Sequence, residues 1–143
     1  MIWTTKPDTD LVNNYSVAHM STHLGIEITE VGDDYIAGRM PVDERTRQPY
    51  GILHGGASCV LAETLGSIGG AFCVDIHTQI VVGLEINANH LRPVISGYVV
   101  GTARPIHLGK TTHVWDIRIT NEKGDLVCIS RLTLAVRDMP KSA

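Results

Sequence analysis

The chain contains Gln48-Pro49-Tyr50-Gly51-Ile52-Leu53-His54-Gly55-Gly56 directly before its longest apolar segment, which we predict to be a helix from Gly55 to about Phe72. This helix is apolar nearly all round, a pattern typical of a helix enclosed by protein. The glycines let a ligand approach the backbone closely, and the first N–H groups of a helix have no intrahelical partner. The junction therefore suits a carbonyl oxygen that gains negative charge during a reaction.

Glu63 is the one acidic residue of this predicted helix. A carboxylate among apolar neighbours is unfavourable unless it is paired or used. We therefore consider Glu63 the main catalytic candidate, as a general base or as a nucleophile. A structural carboxylate satisfied by backbone donors is an equally good interpretation of the residues alone. Ser67 follows by four residues and shares the face of Glu63, where it would hold the attacking water or simply provide a small packing residue.

The remaining residues predict one antiparallel sheet. A first hairpin is expected from residues 26–31 and 35–40, and tight turns containing glycine link the later strands. A short, irregular helix is expected at residues 9–23. The fold class is therefore α+β, with one long helix enclosed by an antiparallel sheet. The later strands are expected at residues 80–92, 98–106, 111–120 and 126–136.

The composition restricts the class of protein. The 143 residues suit one domain, which we expect over residues 1–137, followed by a polar tail at 138–143. The net charge of −3 gives no reason to expect nucleic acid as a partner. No apolar run approaches the ~18 residues of a membrane span, and residues 1–24 carry charges where a signal peptide is apolar. Three cysteines without C-x-x-C spacing indicate buried thiols in a reducing cytoplasm rather than a disulfide framework or a zinc site.

Several motifs together resemble a known family. They are Pro41-Val42-Asp43, Gln48-Pro49-x-Gly51-x-Leu53-His54-Gly55-Gly56-Ala57, Leu61-Ala62-Glu63 and Val82-Gly83-Leu84-Glu85-Ile86-Asn87-Ala88-Asn89-His90. The chain resembles the hotdog-fold acyl-CoA thioesterases, in the branch of the 4-hydroxybenzoyl-CoA and phenylacetate-pathway thioesterases. Within that branch it looks most like the bacterial 1,4-dihydroxy-2-naphthoyl-CoA hydrolases, over nearly its whole length. The resemblance implies a hotdog fold, in which an antiparallel sheet wraps around one long central helix.

The resemblance also implies an assembly and a set of roles. Relatives form homodimers, commonly paired into a dimer of dimers, and need no cofactor. Their active sites lie at the subunit interface, with the Gln48 and Gly55 loop from one subunit and Glu63 from the other. The Gly55 N–H would polarise the thioester carbonyl, and Gln48 would orient the water or the carbonyl. His54 would either bond the carbonyl or hold the loop in place.

Similar segments border the acyl-CoA substrate in this family. Ile68 would form a wall of the acyl pocket, and Tyr50 would contact a polar acyl ring. The anionic end of CoA needs N–H donors and positive charge, which a six-residue turn at 107–112, a strand end at 90–93 and one glycine would supply. From the residues alone, ordinary turns and strand ends are the better interpretation of these segments. The CoA candidates are Gly83, His90, Leu91, Arg92, Pro93, His107, Leu108, Gly109, Lys110, Thr111 and Thr112.

The sequence thus predicts an acyl-CoA thioesterase for an aromatic acyl group. The main candidate substrate is 1,4-dihydroxy-2-naphthoyl-CoA, and the main candidate pathway is menaquinone or phylloquinone synthesis. A proofreading thioesterase for aryl carrier proteins and a broad-specificity acyl-CoA thioesterase are the alternatives. A hotdog dehydratase would pair His54 with Glu63, but the Pro-Gly-rich loop expected after its histidine is missing. A non-enzymatic acyl-CoA sensor is disfavoured by the presence of Glu63 and Gln48.

Overall fold

The computed structural model describes residues 1–15 and 19–141. Within them, six strands form one antiparallel sheet in the order β1-β2-β4-β5-β6-β3, and one long helix packs against it. The predicted α+β fold is therefore confirmed. In chain order the elements are α1 (Thr9–Asn13), α2 (Met20–His23), β1 (Glu27–Val31), β2 (Ile36–Pro41), α3 (Gly55–Phe72), β3 (Gln79–His90), β4 (Tyr98–Leu108), β5 (Thr112–Asn121) and β6 (Leu126–Asp138).

Small residues let α3 lie close to the inner face of the sheet. A Cβ added at Gly69 would lie 2.7 Å from the Trp115 ring, and one at Gly66 would lie 2.5 Å from Leu132. Large apolar side chains of the sheet fill this space instead, which buries one face of the helix. The opposite face, which carries Glu63, is only half-buried in one chain. The buried residues of α3 are Ala57, Ser58, Leu61, Ala62, Leu65, Gly66, Gly69 and Gly70.

Both ends of α3 are held by hydrogen bonds from outside the helix. His54 is the N-cap, and its Nδ1 accepts a hydrogen bond from the Gly56 N–H at 2.8 Å. At the other end, the Phe72 carbonyl accepts from the N–H groups of Thr4 at 2.9 Å and Thr5 at 3.4 Å. Because these partners satisfy groups that a helix end leaves free, they fix where the helix starts and stops. The predicted bounds of this helix are confirmed.

The prediction of a single helix at residues 9–23 is wrong. The chain forms the two short helices α1 and α2, and His19 lies outside both; residues 16–18 lie outside the described part of the chain. The Asn13 side chain explains the end of α1. Its amide donates to the Ile28 carbonyl at 2.9 Å and accepts from the Ile28 N–H at 2.8 Å. These two bonds tie α1 to the first strand, a tertiary contact that sequence periodicity does not report.

Three strand ends differ from the prediction by two residues, and the other differences are of one residue. A bulge between Pro105 and His107 lets β4 keep its pairing with β5 beyond a proline that has no N–H, so β4 continues to Leu108. The last strand includes Asp138 from the expected tail, and the next N–H, of Met139, donates to the Thr78 carbonyl at 2.8 Å. β3 ends two residues early, at His90. In the described part of the chain, no helix is long and apolar enough to cross a membrane.

His113 makes the stability of this fold sensitive to pH. It is buried on β5, and its Nδ1 has no hydrogen-bond partner in the described structure. Burial, and to a lesser extent the charge of His107, lowers the pKa of His113 below its ordinary value. The unfolded chain therefore binds a proton there that the folded chain does not. Consequently the free energy of unfolding falls as the pH drops below the ordinary histidine pKa of about 6.5.

We expect His113→Leu to lose less stability than the wild type between about pH 8 and about pH 5.5, because Leu cannot take up that proton. The free energy of unfolding, measured by urea titration at equal protein concentration, checks this. His77 is an exposed histidine, so His77→Leu serves as the matched control and should keep the wild-type pH dependence. Identical pH dependence in His113→Leu and the wild type would contradict the assignment.

Candidate active site

The loop before α3 is held by Thr46, a buried residue that sequence reasoning missed. Its Oγ1 donates to the Pro41 carbonyl at 2.7 Å and accepts from the Asp43 N–H at 3.2 Å. Its carbonyl accepts from the His54 N–H at 2.8 Å. Thr46 thereby sets the position at which His54 caps α3. Nothing in a single sequence distinguishes this threonine from the other polar residues of a charged loop.

The Gly55 N–H is the amide left free in the first turn of α3. The Gly56 N–H donates to His54 Nδ1, while the N–H groups of Ala57 and Ser58 donate to the His54 carbonyl at 3.0 and 3.3 Å. Among the described residues, the Gly55 N–H has no hydrogen-bond acceptor, and Gly55 is half-buried. A free amide at the positive end of a helix can donate to a carbonyl oxygen.

Gln48 and His54 each use one polar atom inside the loop. Gln48 Oε1 accepts from the Tyr50 N–H at 2.5 Å, and His54 Nδ1 is the helix cap. Gly51 has φ of +82°, which allows the tight turn at the loop tip. This turn leaves Tyr50 91% exposed, so within one chain it faces solvent rather than an acyl pocket. The other side-chain nitrogens, Gln48 Nε2 and His54 Nε2, make no hydrogen bond with any described residue.

Glu63 lies half-buried on α3, with its carboxylate against β3. A Cβ added at Gly83 would lie 2.5 Å from Glu63 Oε1, so the missing side chain of Gly83 makes room for the carboxylate. Glu63 takes part in no hydrogen bond or salt bridge within the described residues. Burial, and after it the negative charge of Glu63, raises the pKa of the Cys59 thiol. These contacts do not support the interpretation of Glu63 as a structural carboxylate whose oxygens accept hydrogen bonds from backbone donors.

The two other predicted site residues of α3, Ser67 and Ile68, lie on different sides of the helix. Ser67 is half-buried and lies one turn beyond Glu63 on the same side of the helix. Ile68 and Thr64 line a small cleft of about 50 Å³ that α1, α2 and β1 close from the other side. Across it, Ser21 Oγ lies 3.3 Å from Thr64 Oγ1. The predicted acyl-pocket residue Ile68 therefore borders a cleft on the β1 side of α3, whereas the Glu63 carboxylate lies against β3 at the opposite edge of the sheet.

Gly55 and Glu63 do not meet within one chain. They lie eight residues apart on α3, which corresponds to about 12 Å at the α-helical rise. One thioester carbonyl cannot contact both groups of the same subunit.

The first predicted CoA segment follows β3. His90 Nε2 lies 2.8 Å from the position that a Cβ of Gly55 would occupy. Leu91 is exposed, and its N–H donates to the Val127 carbonyl at 2.8 Å. Arg92 and Pro93 line an open groove of about 350 Å³ together with the turn between β5 and β6. That turn adds Lys123, a second cation that sequence reasoning did not place here.

The second predicted CoA segment lies at the other end of the sheet. His107 and Leu108 belong to β4 and Thr112 belongs to β5, so the predicted six-residue turn is confined to residues 109–111. The Gly109 N–H donates to the Thr112 carbonyl at 2.9 Å, while Lys110 and Thr111 are exposed. This hairpin and the groove at Arg92 are separated by the length of β4, roughly 30 Å. One chain therefore does not bring the two predicted CoA segments together.

Comparison with known proteins identifies the family. The model of the thioesterase superfamily matches residues 50–128, from the loop tip through α3 into β6. The chain belongs to the thioesterase superfamily. It is 49% identical over 136 residues to the 1,4-dihydroxy-2-naphthoyl-CoA hydrolase of Escherichia coli K12, covering 95% of this chain and 99% of that protein. It is 48% identical over 136 residues to the proofreading thioesterase EntH of Cronobacter turicensis, covering 95% and 98%.

A solved structure extends the likeness to three dimensions. The crystal structure of a mutant thioesterase PA1618 from Pseudomonas aeruginosa matches with a TM-score of 0.96 and 48% identity, covering 97% of this chain and all of that one. The predicted hotdog fold and thioesterase family are confirmed, and this thioesterase-superfamily protein is a thioester hydrolase. Among its described residues, no group of three or more His, Cys, Asp or Glu side chains is placed to hold a metal ion.

We expect Gly83→Ala to reduce kcat by about 10²-fold with little change in thermal stability. The added Cβ displaces the Glu63 carboxylate, which is the far end of a flexible side chain, so the fold adjusts while the carboxylate leaves its position. Steady-state kinetics and a thermal melt of the same preparation check this. Full activity in Gly83→Ala would show that the observed position of Glu63 does not matter to the reaction.

Proposed function

We propose that this protein hydrolyses an aromatic acyl-CoA, with 1,4-dihydroxy-2-naphthoyl-CoA as the lead substrate, to the free acid and CoA. The observation that carries the proposal is the unpaired, half-buried Glu63 carboxylate in a chain that also offers a free amide at Gly55. Acyl transfer needs both a group that activates the attacking oxygen and a donor that stabilises the oxyanion.

In the proposed mechanism the thioester carbonyl oxygen accepts a hydrogen bond from the Gly55 N–H. Glu63 either removes a proton from water, whose oxygen then attacks the carbonyl carbon, or attacks that carbon itself to form an anhydride that water hydrolyses. The tetrahedral intermediate collapses when the carbon–sulfur bond breaks, and CoA leaves as a thiolate that takes up a proton. Gln48 Nε2 and His54 Nε2 are the free donors that orient the water or carbonyl, and Ser67 supports the carboxylate.

The proposed enzyme is a homodimer whose active sites combine two subunits, with a dimer of dimers as the larger assembly. The separations of Gly55 from Glu63 and of the two CoA segments from each other both support a two-chain site. The long edge strand β3 supports it as well, because its 12 residues contain no proline and no lysine to prevent pairing with another strand. Leu84 on this edge is 60% exposed in one chain, an apolar surface suited to a partner.

The names of the relatives leave two acyl carriers to distinguish. One relative is a CoA-ester hydrolase and another is a proofreading thioesterase, and they are almost equally similar to this chain. We favour CoA because Arg92 and Lys123 line one groove and can each donate to a phosphate; Glu122 and Asp125 line the same groove and balance their charge. An aryl group on a carrier protein is the second candidate, and it would need only the pantetheine part of the same site.

We propose that the reaction takes place in the cytoplasm. The three cysteines are free, and none is paired in a disulfide. Burial raises the pKa of Cys73 to about 11. Burial, and after it the neighbouring Cys59, raises the pKa of Cys128 to about 11. Both thiols are therefore protonated and unreactive near neutral pH, which suits a reducing compartment in which they are structural.

We expect hydrolysis of at least one aromatic acyl-CoA with kcat/KM of about 10⁴ M⁻¹s⁻¹ or more, and its loss in Glu63→Gln. The panel is 1,4-dihydroxy-2-naphthoyl-CoA, benzoyl-CoA, phenylacetyl-CoA, a medium-chain aliphatic CoA and one aryl thioester on a carrier protein, followed by released thiol. Glu85→Gln, at an exposed acid of β3, is the matched control. Equal turnover by the wild type and Glu63→Gln would contradict the catalytic role of Glu63. The absence of turnover on every ester would contradict the proposed function.

We expect mixed dimers of two inactive variants to regain activity. Glu63→Gln removes the carboxylate, and Gly55→Val blocks the helix start, since its Cβ would lie 2.8 Å from His90 Nε2. Random mixing of the two chains by co-expression leaves half of the dimers hybrid, each with one intact site, so activity should reach about one quarter of the wild type. Recovery would be absent if each site belonged to a single chain. Mixing the separately purified variants at low temperature, where chains do not exchange, is the control.

A further inference from the structure

The side chain of His90 lies over the first turn of α3. His90 is the last residue of β3 and pairs with Cys128 of β6, a register that points its side chain to the inner face of the sheet. There Nε2 lies 2.8 Å from the place where a Cβ of Gly55 would be. A side chain at residue 55 would exclude the imidazole from this position. The close approach therefore depends on the absence of a side chain at Gly55.

The distance limits how far Nε2 can lie from the Gly55 amide nitrogen. In standard backbone geometry, a Cβ lies about 2.5 Å from the nitrogen of its own residue. The Gly55 nitrogen and His90 Nε2 are thus no more than about 5.3 Å apart. One oxygen atom at a hydrogen-bond distance of about 2.9 Å from each nitrogen fits within that limit. The two groups can therefore donate to the same acceptor.

Both donors are available for a ligand. Within residues 1–15 and 19–141, neither the Gly55 N–H nor the ring of His90 takes part in a hydrogen bond. His90 is also exposed enough for a substrate to reach it. The neighbouring polar ring atom, His54 Nδ1, already accepts from the Gly56 N–H and cannot donate to a carbonyl in that state. His54 Nε2 is already proposed to orient the water or the carbonyl, so His90 Nε2 is a further donor, placed beside the free amide.

We propose that His90 is a catalytic residue whose Nε2–H donates a second hydrogen bond to the thioester carbonyl oxygen, beside the Gly55 N–H. This inference rests on the proposed thioesterase function. The proton stays on Nε2 throughout, since the bond only stabilises the negative charge that forms on the oxygen when the carbonyl carbon is attacked. Two donors that converge on the oxyanion stabilise the transition state more than the bound substrate, so they raise kcat.

This role differs measurably from the sequence-based expectation that His90 only borders CoA. A residue that contacts CoA equally in substrate and transition state affects KM, whereas an oxyanion donor affects kcat. We expect His90→Leu, which keeps bulk but loses the donor, to lower kcat by about 10²-fold with KM changed by less than about 3-fold. His77→Leu, at an exposed histidine remote from α3's first turn, is the matched control and should keep wild-type kinetics.

Two amide variants test the position of the donor even if His90→Leu folds poorly. Gln places its side-chain nitrogen near that of Nε2, and Asn places it near that of Nδ1. We expect His90→Gln to keep kcat within about 10-fold of the wild type and His90→Asn to lose about as much as His90→Leu. Equal kcat in the Gln and Asn variants would overturn the proposal, because the position of the donor would then be irrelevant.

A truncated substrate separates the carbonyl from the nucleotide. The acyl N-acetylcysteamine thioester of the best substrate keeps the reacting group and lacks the nucleotide of CoA. The loss of kcat/KM in His90→Leu should be the same on this ester as on the CoA ester. Its disappearance on the truncated ester would assign His90 to CoA binding instead. Suppose that the wild type hydrolyses these esters and Glu63→Gln does not. An unchanged kcat in His90→Leu would then refute the role of His90 but not the proposed function. If the wild type hydrolyses none of the esters, the proposed function itself is refuted.

Discussion

The close contact between α3 and the sheet is the constraint on which both halves of the candidate site depend. Glycines on α3 bring the helix within reach of Trp115 and Leu132, so the helix cannot shift without creating a clash or a cavity. The same closeness puts the Glu63 carboxylate against Gly83 and the His90 imidazole against Gly55. In the first contact the strand lacks a side chain, and in the second the helix lacks one. Each polar group therefore occupies space that its neighbour leaves open.

The cap of α3 decides which backbone donor remains for a ligand. A helix start presents several N–H groups without intrahelical partners. The His54 side chain and carbonyl take the donors of residues 56–58, and the Thr46 carbonyl holds His54 in place. Among the described residues, the Gly55 N–H is the donor of this turn that keeps no acceptor. A different cap, such as a short Ser or Asp side chain, would serve the helix equally well but would not place an imidazole at the site.

The sequence predicted the central features of the fold because their signals are local. The run from Gly55 to Phe72 is long, uninterrupted and flanked by a histidine-glycine start, so its bounds could be predicted, and the period-2 strands and glycine turns indicated the sheet. The helix at residues 9–23 could not be predicted correctly, since the Asn13 contact with Ile28 that ends α1 is tertiary. The thioesterase family was recognisable from the motifs around Glu63 and Gly83.

The geometry of the site could not be predicted from those motifs. A bulge between Gly83 and Glu85 shifts the pairing of β3 with β6, and a shift of one residue exchanges the two faces of a strand. Sequence reasoning had no means to place this bulge, so it could not report that Gly83 lies against Glu63 and His90 against Gly55. Nor could one sequence report that the two CoA segments lie at opposite ends of β4.

The position of β3 connects assembly to catalysis in physical terms. This strand is one of the two edges of the sheet, and its inner face touches both Glu63 and the start of α3. A partner strand that paired with this edge would fix the twist of β3 and, through it, the places of Gly83 and His90. Dissociation would then remove half of each proposed site and also loosen the half that stays. Activity per chain would accordingly follow the fraction of paired chains, because the monomer has neither a complete site nor a rigid half-site.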